Sequence, residues 1–399
     1  MADPIKLTPP DGRASRRTAL GLILGAPLLA GCAGANTSLF GNQGEAGPSG
    51  PPQQAQAIGS GQVKVGLVLP LSGQGNASAV AQSMRNAAEL ALAEFKNPDI
   101  QLLVKDDAGS AAGAQQGVQQ ALDEGAEIIL GPLFGSSVPA AGQAARARNV
   151  PVIAFSTDSS VAGRGVYLLS FLPESDVNRI ISYAGGAGKR SYAAMLPQNA
   201  YGNVVEGAFK QAVGRYGGRI AAFERYPVGQ PQGVARNVAQ ALGNADSLLL
   251  ADDGEALAGV TAALAASGAD LKRVQLLGTG LWDNPRVFSN AALQGGLYAA
   301  PDPSGFRAFA GRYRAKFGQD PVRTATLAYD AVALVAALAR TQGGQRYSQD
   351  VLTNSSGFAG IDGLFRFRPD GTNERGLAVM RVTSNGGQLV AGSPKSFSA

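Results

Sequence analysis

The chain of 399 residues carries 34 basic and 29 acidic side chains, one cysteine and no histidine. A lone thiol excludes an intrachain disulfide, and without histidine there is neither a Ser-His-Asp arrangement nor the usual base for a nucleophilic cysteine. A 45% hydrophobic share with 16% charged residues describes one large or two medium globular domains, and the formal charge of +5 is too small and too scattered for a nucleic-acid surface.

Lys6, Arg13, Arg16 and Arg17 precede an uncharged run from Thr18 to Gly31 that holds Leu20, Leu22, Ile23, Leu24, Leu28 and Leu29. The run has the length of a signal-peptide hydrophobic region and falls short of the ~20 residues of a spanning helix. Leu29-Ala30-Gly31-Cys32 resembles the lipobox of bacterial lipoproteins, which implies that residues 1–31 are removed and that Cys32 carries the lipid. A cysteine buried in a short apolar helix would leave the basic residues ahead of it unexplained. Ser15-Arg16-Arg17-Thr18 also resembles a twin-arginine export signal, with Ala19 where a bulky residue usually stands, so the export route stays open. Residues 1–31 hold four basic against two acidic side chains, which leaves the remainder at +3. Residues 32–62 are rich in Gly, Pro, Gln, Ser and Ala and cannot bury enough surface to offset their ordering entropy; they read as a flexible tether.

Order begins with VKVGLVLPL (63–71), a continuous apolar run typical of a strand covered on both faces. A helix follows over 79–95, then a strand at 100–106, a helix through Val118 and Leu122, and strands at 127–131, 151–155 and 166–172. Ser136 and Ser137 stand where they would cap the helix between two of these strands. The alternation restarts with strands at 191–197, 219–228, 247–252 and 274–280, separated by helices near 203–216, 232–242 and 255–267. A strand near Leu297, helices at 304–317 and 323–340, and strands at 363–367 and 375–382 complete the chain. Two successive series of strand, helix and short loop predict two parallel sheets with helices on both faces.

VKVGLVLPLSGQG, DDAGS (106–110), ILGPLFGSS (129–137), VPVIAFSTDSS (150–160) and LPQNAYGNVVEGAF (196–209) together resemble the type I periplasmic binding proteins, closest to the branched-chain amino acid-binding branch. The resemblance runs from Val63 to about Leu389. It implies an α/β chain of two Rossmann-like lobes joined by three crossovers, with lobe 1 at 63–172 and 302–370 and lobe 2 at 173–301 and 371–399. A small ligand would lie in the cleft between them, and the chain would be no enzyme.

Ligands of open parallel sheets sit beyond the carboxyl ends of the strands, where helix N-termini present free N–H groups. Ser72, Ser136, Ser137, Ser156, Thr157 and Asp158 stand in such segments, and family members hold a ligand carboxylate with the loops after ILGP and PVI. Ser136 and Ser137 would serve as ligand contacts or as helix caps. Tyr201 matches a tyrosine that lines the cleft in amino acid-binding relatives, or else packs at its loop. Trp282, the sole tryptophan, would stack on a ligand or pack at the hinge. Relatives place an acid for the ligand ammonium where this chain has Gly280 and Leu281, with Asp283 slightly later; Asp252 and Asp253 are the substitutes at the neighbouring strand end.

GQGNAS (73–78), with Asp106 and Asp107 beyond, resembles a dinucleotide fingerprint, but Ser78 replaces its third glycine and an exported chain meets little cofactor. No clustered metal ligands stand out, so neither cofactor nor metal is expected. The leading expectation is therefore a lipid-anchored solute receptor of the cell envelope that serves an ABC permease. The alternative is an outer-membrane lipoprotein that activates a penicillin-binding protein; Ala33 after the cysteine fits that membrane in a Gram-negative cell. Nucleic acid is not an expected partner.

Overall fold

The computed structural model describes residues 57–397. The signal segment 1–31, Cys32 and most of the tether lie outside the described residues. The tether reading extends to Gln62, whereas Ala57–Ile58 form a short strand, β1, whose edge position is satisfied by antiparallel pairing with Leu102 and Leu103.

β2 (Val63–Leu69), β3 (Ile100–Asp106), β4 (Ile128–Leu130), β5 (Val152–Ala154) and β6 (Val166–Leu168) complete the first sheet, in the order β1-β3-β2-β4-β5-β6 and parallel throughout except for β1. The apolar run of β2 beyond Lys64 has a physical reason. Val65, Leu67 and Leu69 pack on one face against the helices Ala77–Glu94 and Ala325–Thr341, while Val68 packs on the other against Ala111–Asp123 and Val138–Arg146. Both faces exclude water, so no polar alternation is tolerated.

The second sheet contains β7 (Ser191–Pro197), β8 (Arg219–Tyr226), β9 (Ser247–Leu250), β10 (Gln275–Gly278) and β11 (Leu297–Ala300). After the helices Pro303–Phe317 and Ala325–Thr341, the chain forms a small antiparallel sheet of β12 (Phe358–Gly360), β13 (Gly363–Phe367) and β14 (Asn373–Arg375). It then adds β15 (Ala378–Thr383) and β16 (Gly386–Ala391) to the second sheet, whose order is β16-β15-β11-β10-β9-β7-β8. The fold is thus an α/β pair of lobes, and the chain passes between them near residues 170, 301 and 376.

Two differences from the sequence expectation matter for function. The segment between 172 and 191 forms a helix, Pro173–Gly186, that the strand alternation passes over. Pro173 in its first turn, Glu174 and Asp176 beside the helix N-terminus, and Val177, Ile180, Ile181 and Ala184 at helical spacing specify it.

The second difference is the return to lobe 2, placed at residue 371 from the sequence. β14 pairs with β13, Asn373 Nδ2 and Arg375 Nε donate to the Ser170 carbonyl at 2.9 and 2.8 Å, and Leu168 N donates to Gly371 O at 2.8 Å. Residues 371–375 therefore pack with the first sheet, and the crossing falls between Arg375 and Ala378.

Gly371 has φ +86°, and a Cβ there would stand 2.2 Å from Val166 O. Gly371→Ala is expected to destabilise the protein by about 2 kcal/mol or more, because strain and a backbone clash add. Urea unfolding checks this; an unchanged midpoint would mean that the turn is not fixed to β6.

Candidate functional site

A cavity of about 600 Å³ opens between the two lobes. The first lobe contributes Thr157 and Asp158 after β5, Phe171 at the first crossing, and Arg323 just before the helix Ala325–Thr341. The second contributes Pro173 and Asp176, Ala200, Tyr201 and Val204 from the start of Ala200–Arg215, and Gly280, Leu281 and Asp283 after β10; Ala300 and Pro301 stand at the third wall. Most of this lining is apolar, with acids and one guanidinium at defined points, as small-molecule clefts usually are.

Asp176 is the centre of its electrostatics. Its Oδ2 accepts from Gly280 N at 2.9 Å, which fixes the carboxyl between two elements of the second lobe while the group borders the cavity. Burial pushes its pKa up to about 7, with the charge of Glu174 adding to the rise and the Gly280 amide and the Arg375 charge opposing it. Opposite charge is supplied by Arg323. Its two terminal nitrogens donate to fully buried Asp362 at 2.9 and 2.6 Å, and Nη1 also reaches Thr326 at 3.2 Å. Of five guanidinium hydrogens, Nε–H and one on Nη2 are left for other partners.

Four of the residues singled out from the sequence border the cavity: Thr157, Asp158, Tyr201 and Asp283. The Tyr201 hydroxyl shares a 2.7 Å hydrogen bond with Thr279 Oγ1, and burial raises its pKa. Asp158 also caps the short turn Ser159–Val161 by accepting from Ser160 N at 3.0 Å.

The other six do not line it. Ser72 is exposed, and its backbone N–H binds Asp106 at 3.1 Å. Ser136 is exposed and Ser137 is fully buried with no partner for its hydroxyl; neither side chain caps Val138–Arg146, because a 3-10 turn, Gly135–Ser137, carries the chain into that helix. Ser156 is buried and its Oγ accepts from Asp158 N at 3.0 Å, so it shapes the loop. Asp252 is engaged by the Tyr226 hydroxyl and by Asp253 N at 2.9 Å.

Trp282 requires a correction. It is 0% exposed within the second-lobe core, Nε1 donates to Leu250 O at 2.9 Å, and it cannot stack on a ligand in the cleft. Sequence reasoning missed Asp176, Phe171 and Arg323. The readable signal for Asp176 was the unrecognised helix Pro173–Gly186; for Arg323 and Phe171, which meet with 4.9 Å between guanidinium and ring centroid, sequence spacing carries no signal. Trp282→Ala should cost about 3–5 kcal/mol by the cavity it leaves. Trp282→Phe should retain most of the packing but orphan the Leu250 carbonyl. Denaturant melts of both variants test this, and wild-type stability for Trp282→Ala would contradict the core role.

Residues 62–388 match the family model described as periplasmic binding protein. Among solved structures, a putative branched-chain amino acid ABC transporter protein from Rhodospirillum rubrum is similar at 21% identity and a TM-score of 0.72, covering 82% of this chain and 99% of that one. A solute-binding protein of an ABC transporter from Rhodopseudomonas palustris, in complex with 3,4-dihydroxybenzoic acid, is similar at 20% identity and a TM-score of 0.59, covering 84% and 97%. A branched-chain amino acid transporter substrate-binding protein from Streptococcus pneumoniae, in complex with isoleucine, gives 19% identity and a TM-score of 0.56, covering 82% and 99%. An uncharacterized protein of Rickettsia prowazekii is 22% identical over 189 residues, 46% of this chain and 48% of that protein, so the match spans about half the length of the curated relative.

Proposed function

The chain belongs to the periplasmic binding protein family, and from that premise we propose that it is a lipid-anchored solute receptor that holds an amino acid or closely related small acid for import by an ABC-type permease. The observation that carries this reading is the placement of Asp176 and Arg323, one from each lobe, around one largely apolar cleft. An amino acid presents an ammonium, a carboxylate and a side chain. Asp176 is suited to the ammonium, the free N–H groups of Arg323 with the Thr157 hydroxyl to the carboxylate, and Val204, Leu281 and Phe171 to an apolar body. Isoleucine and 3,4-dihydroxybenzoic acid, held by similar folds, share a carboxylate on a compact hydrocarbon skeleton.

Binding of this kind makes or breaks no covalent bond, so the reading is a non-enzymatic one. Its anchor would be Cys32, for which the support is the basic start, the short apolar run and Leu29-Ala30-Gly31 ahead of it. Cys32→Ser should move the full chain from the membrane fraction to the soluble fraction after expression in a bacterium that processes lipoproteins; persistence in the membrane would remove the anchor from the reading.

The two ligand types separate by pH, because Asp176 titrates near 7. An ammonium requires the ionised carboxylate, so affinity for an amino acid should be full above that pH and fall about tenfold per unit below it. A plain carboxylate ligand gains nothing from the ionised form and should bind better as the pH drops. Asp176→Asn should weaken an amino acid by roughly 10–100-fold, the loss of a charge-assisted contact, and leave a benzoate-type acid unharmed. Thermal-shift screening of both classes at pH 6 and 8, followed by calorimetry, makes the test. A flat screen across both sets would count against solute binding and direct attention to the activator alternative.

A further inference from the structure

The helix Pro173–Gly186 also borders a second pocket, of about 260 Å³, that shares no lining residue with the cleft. Its charged lining consists of Glu174, Arg179, Arg215, Arg368, Glu374 and Arg375. Four guanidinium groups thus face two carboxyls, and the walls come from both lobes: Arg179 and Arg215 from the second, Arg368 to Arg375 from the small sheet that packs with the first.

The hydrogen bonds of these groups leave specific vacancies. Arg375 is 4% exposed and donates from Nε to Ser170 O at 2.8 Å, but both terminal nitrogens are without a hydrogen-bond partner. The rings of Phe171 and Phe365, at 4.7 and 5.6 Å, pack against the guanidinium without taking up its N–H groups. The charges of Asp362, Asp330 and Asp176 also act on it, yet no ion pair within 4 Å joins Arg375 to any of them.

Glu374 is already committed to Arg366 at 2.8 Å and to Arg368 at 3.3 Å. Arg179 spends hydrogen bonds on two neutral carbonyls, Leu377 at 2.7 Å and Gly392 at 3.3 Å, which leaves its charge uncompensated. Arg215 makes one long contact, 3.4 Å to Asn178 Oδ1. One acceptor is orphaned as well: Glu174 Oε2 is buried without a donor. Buried polar groups without partners are costly, and their clustering around one polar hollow is the mark of a missing hydrogen-bonded occupant.

We propose that this pocket binds a small protonated oxyanion of the hydrogen-phosphate type. Excess arginine charge and the unused N–H groups of Arg375 call for an anionic acceptor, and Glu174 calls for a donor. Hydrogen phosphate is both, since its P–OH donates to Glu174 while its other oxygens accept from the arginines. Sulfate has the same shape and no proton to give at neutral pH. The pocket therefore prefers phosphate over sulfate, and the bound ion ties the two lobes together at a place apart from the cleft.

Calorimetric titration of inorganic phosphate into the full chain at pH 7 and constant ionic strength should show one saturable site, with sulfate at least about tenfold weaker. Arg215 is exposed, so Arg215→Glu should fold normally and weaken phosphate by about tenfold or more. Comparing it with the wild type also removes the general effect of these salts on stability. Glu174→Gln provides an amide donor and should narrow the phosphate preference by improving sulfate. Absence of phosphate binding, equal affinity for the two anions, or an isotherm unaltered by Arg215→Glu would overturn the proposal.

Discussion

The first lobe's wall of the cleft is organised around one buried carboxylate. Asp362 is fully buried and accepts from both terminal nitrogens of Arg323 and from the Thr326 hydroxyl at 2.6 Å. A charge taken out of water is tolerated only when its lone pairs are met this completely. The turn between β12 and β13, the entry to the helix Ala325–Thr341 and the first lobe crossing are consequently fixed to one another, because the same guanidinium lies 4.9 Å from the Phe171 ring and 4.7 Å from Phe306. Arg323 reaches the cleft already oriented, so a ligand acid would meet a guanidinium whose ordering has been completed by folding.

The strands were the most legible part of the sequence, for a reason visible in the packing. β2, β7 and β9 are covered on both faces along most of their length, and apart from Lys64 near the start of β2 they hold only apolar, small or aromatic residues, which produces runs that no loop would show. Edge elements were less legible. β1 has two residues and β16 carries exposed Gln388 and Leu389, so neither has a pattern beyond that of an ordinary loop.

The cleft was legible in its loops and opaque in its charges. Thr157, Asp158 and Tyr201 follow directly from strand ends, where topology alone points at the ligand space. Trp282 also follows a strand end, but the chain turns through Gly280–Trp282 and brings the indole back under the sheet; Gly278 and Gly296 lack side chains where the ring passes, and it fills the core. Position after a strand thus gives the address of a residue and not the direction of its side chain. Besides Asp283 in the loop after β10, the second lobe brings a further acid to the cleft, Asp176, from a helix whose polar first turn, Glu174-Ser175-Asp176, resembles a connecting loop until its later apolar residues are counted.

That helix shows how one element serves two electrostatic environments. Val177, Ile180, Ile181 and Ala184 bury one stripe against the second sheet. Of the remaining faces, one carries Asp176 to the cleft and another carries Glu174 and Arg179 to the arginine-lined pocket. Between the two pockets stands Phe171, which borders the cleft and packs against both Arg323 and Arg375. Any rotation of one lobe on the other must carry the helix with the second sheet, while Arg323 and Arg375 stay with the first. The distances from Asp176 to Arg323 and from Glu174 to Arg375 therefore change in the same motion.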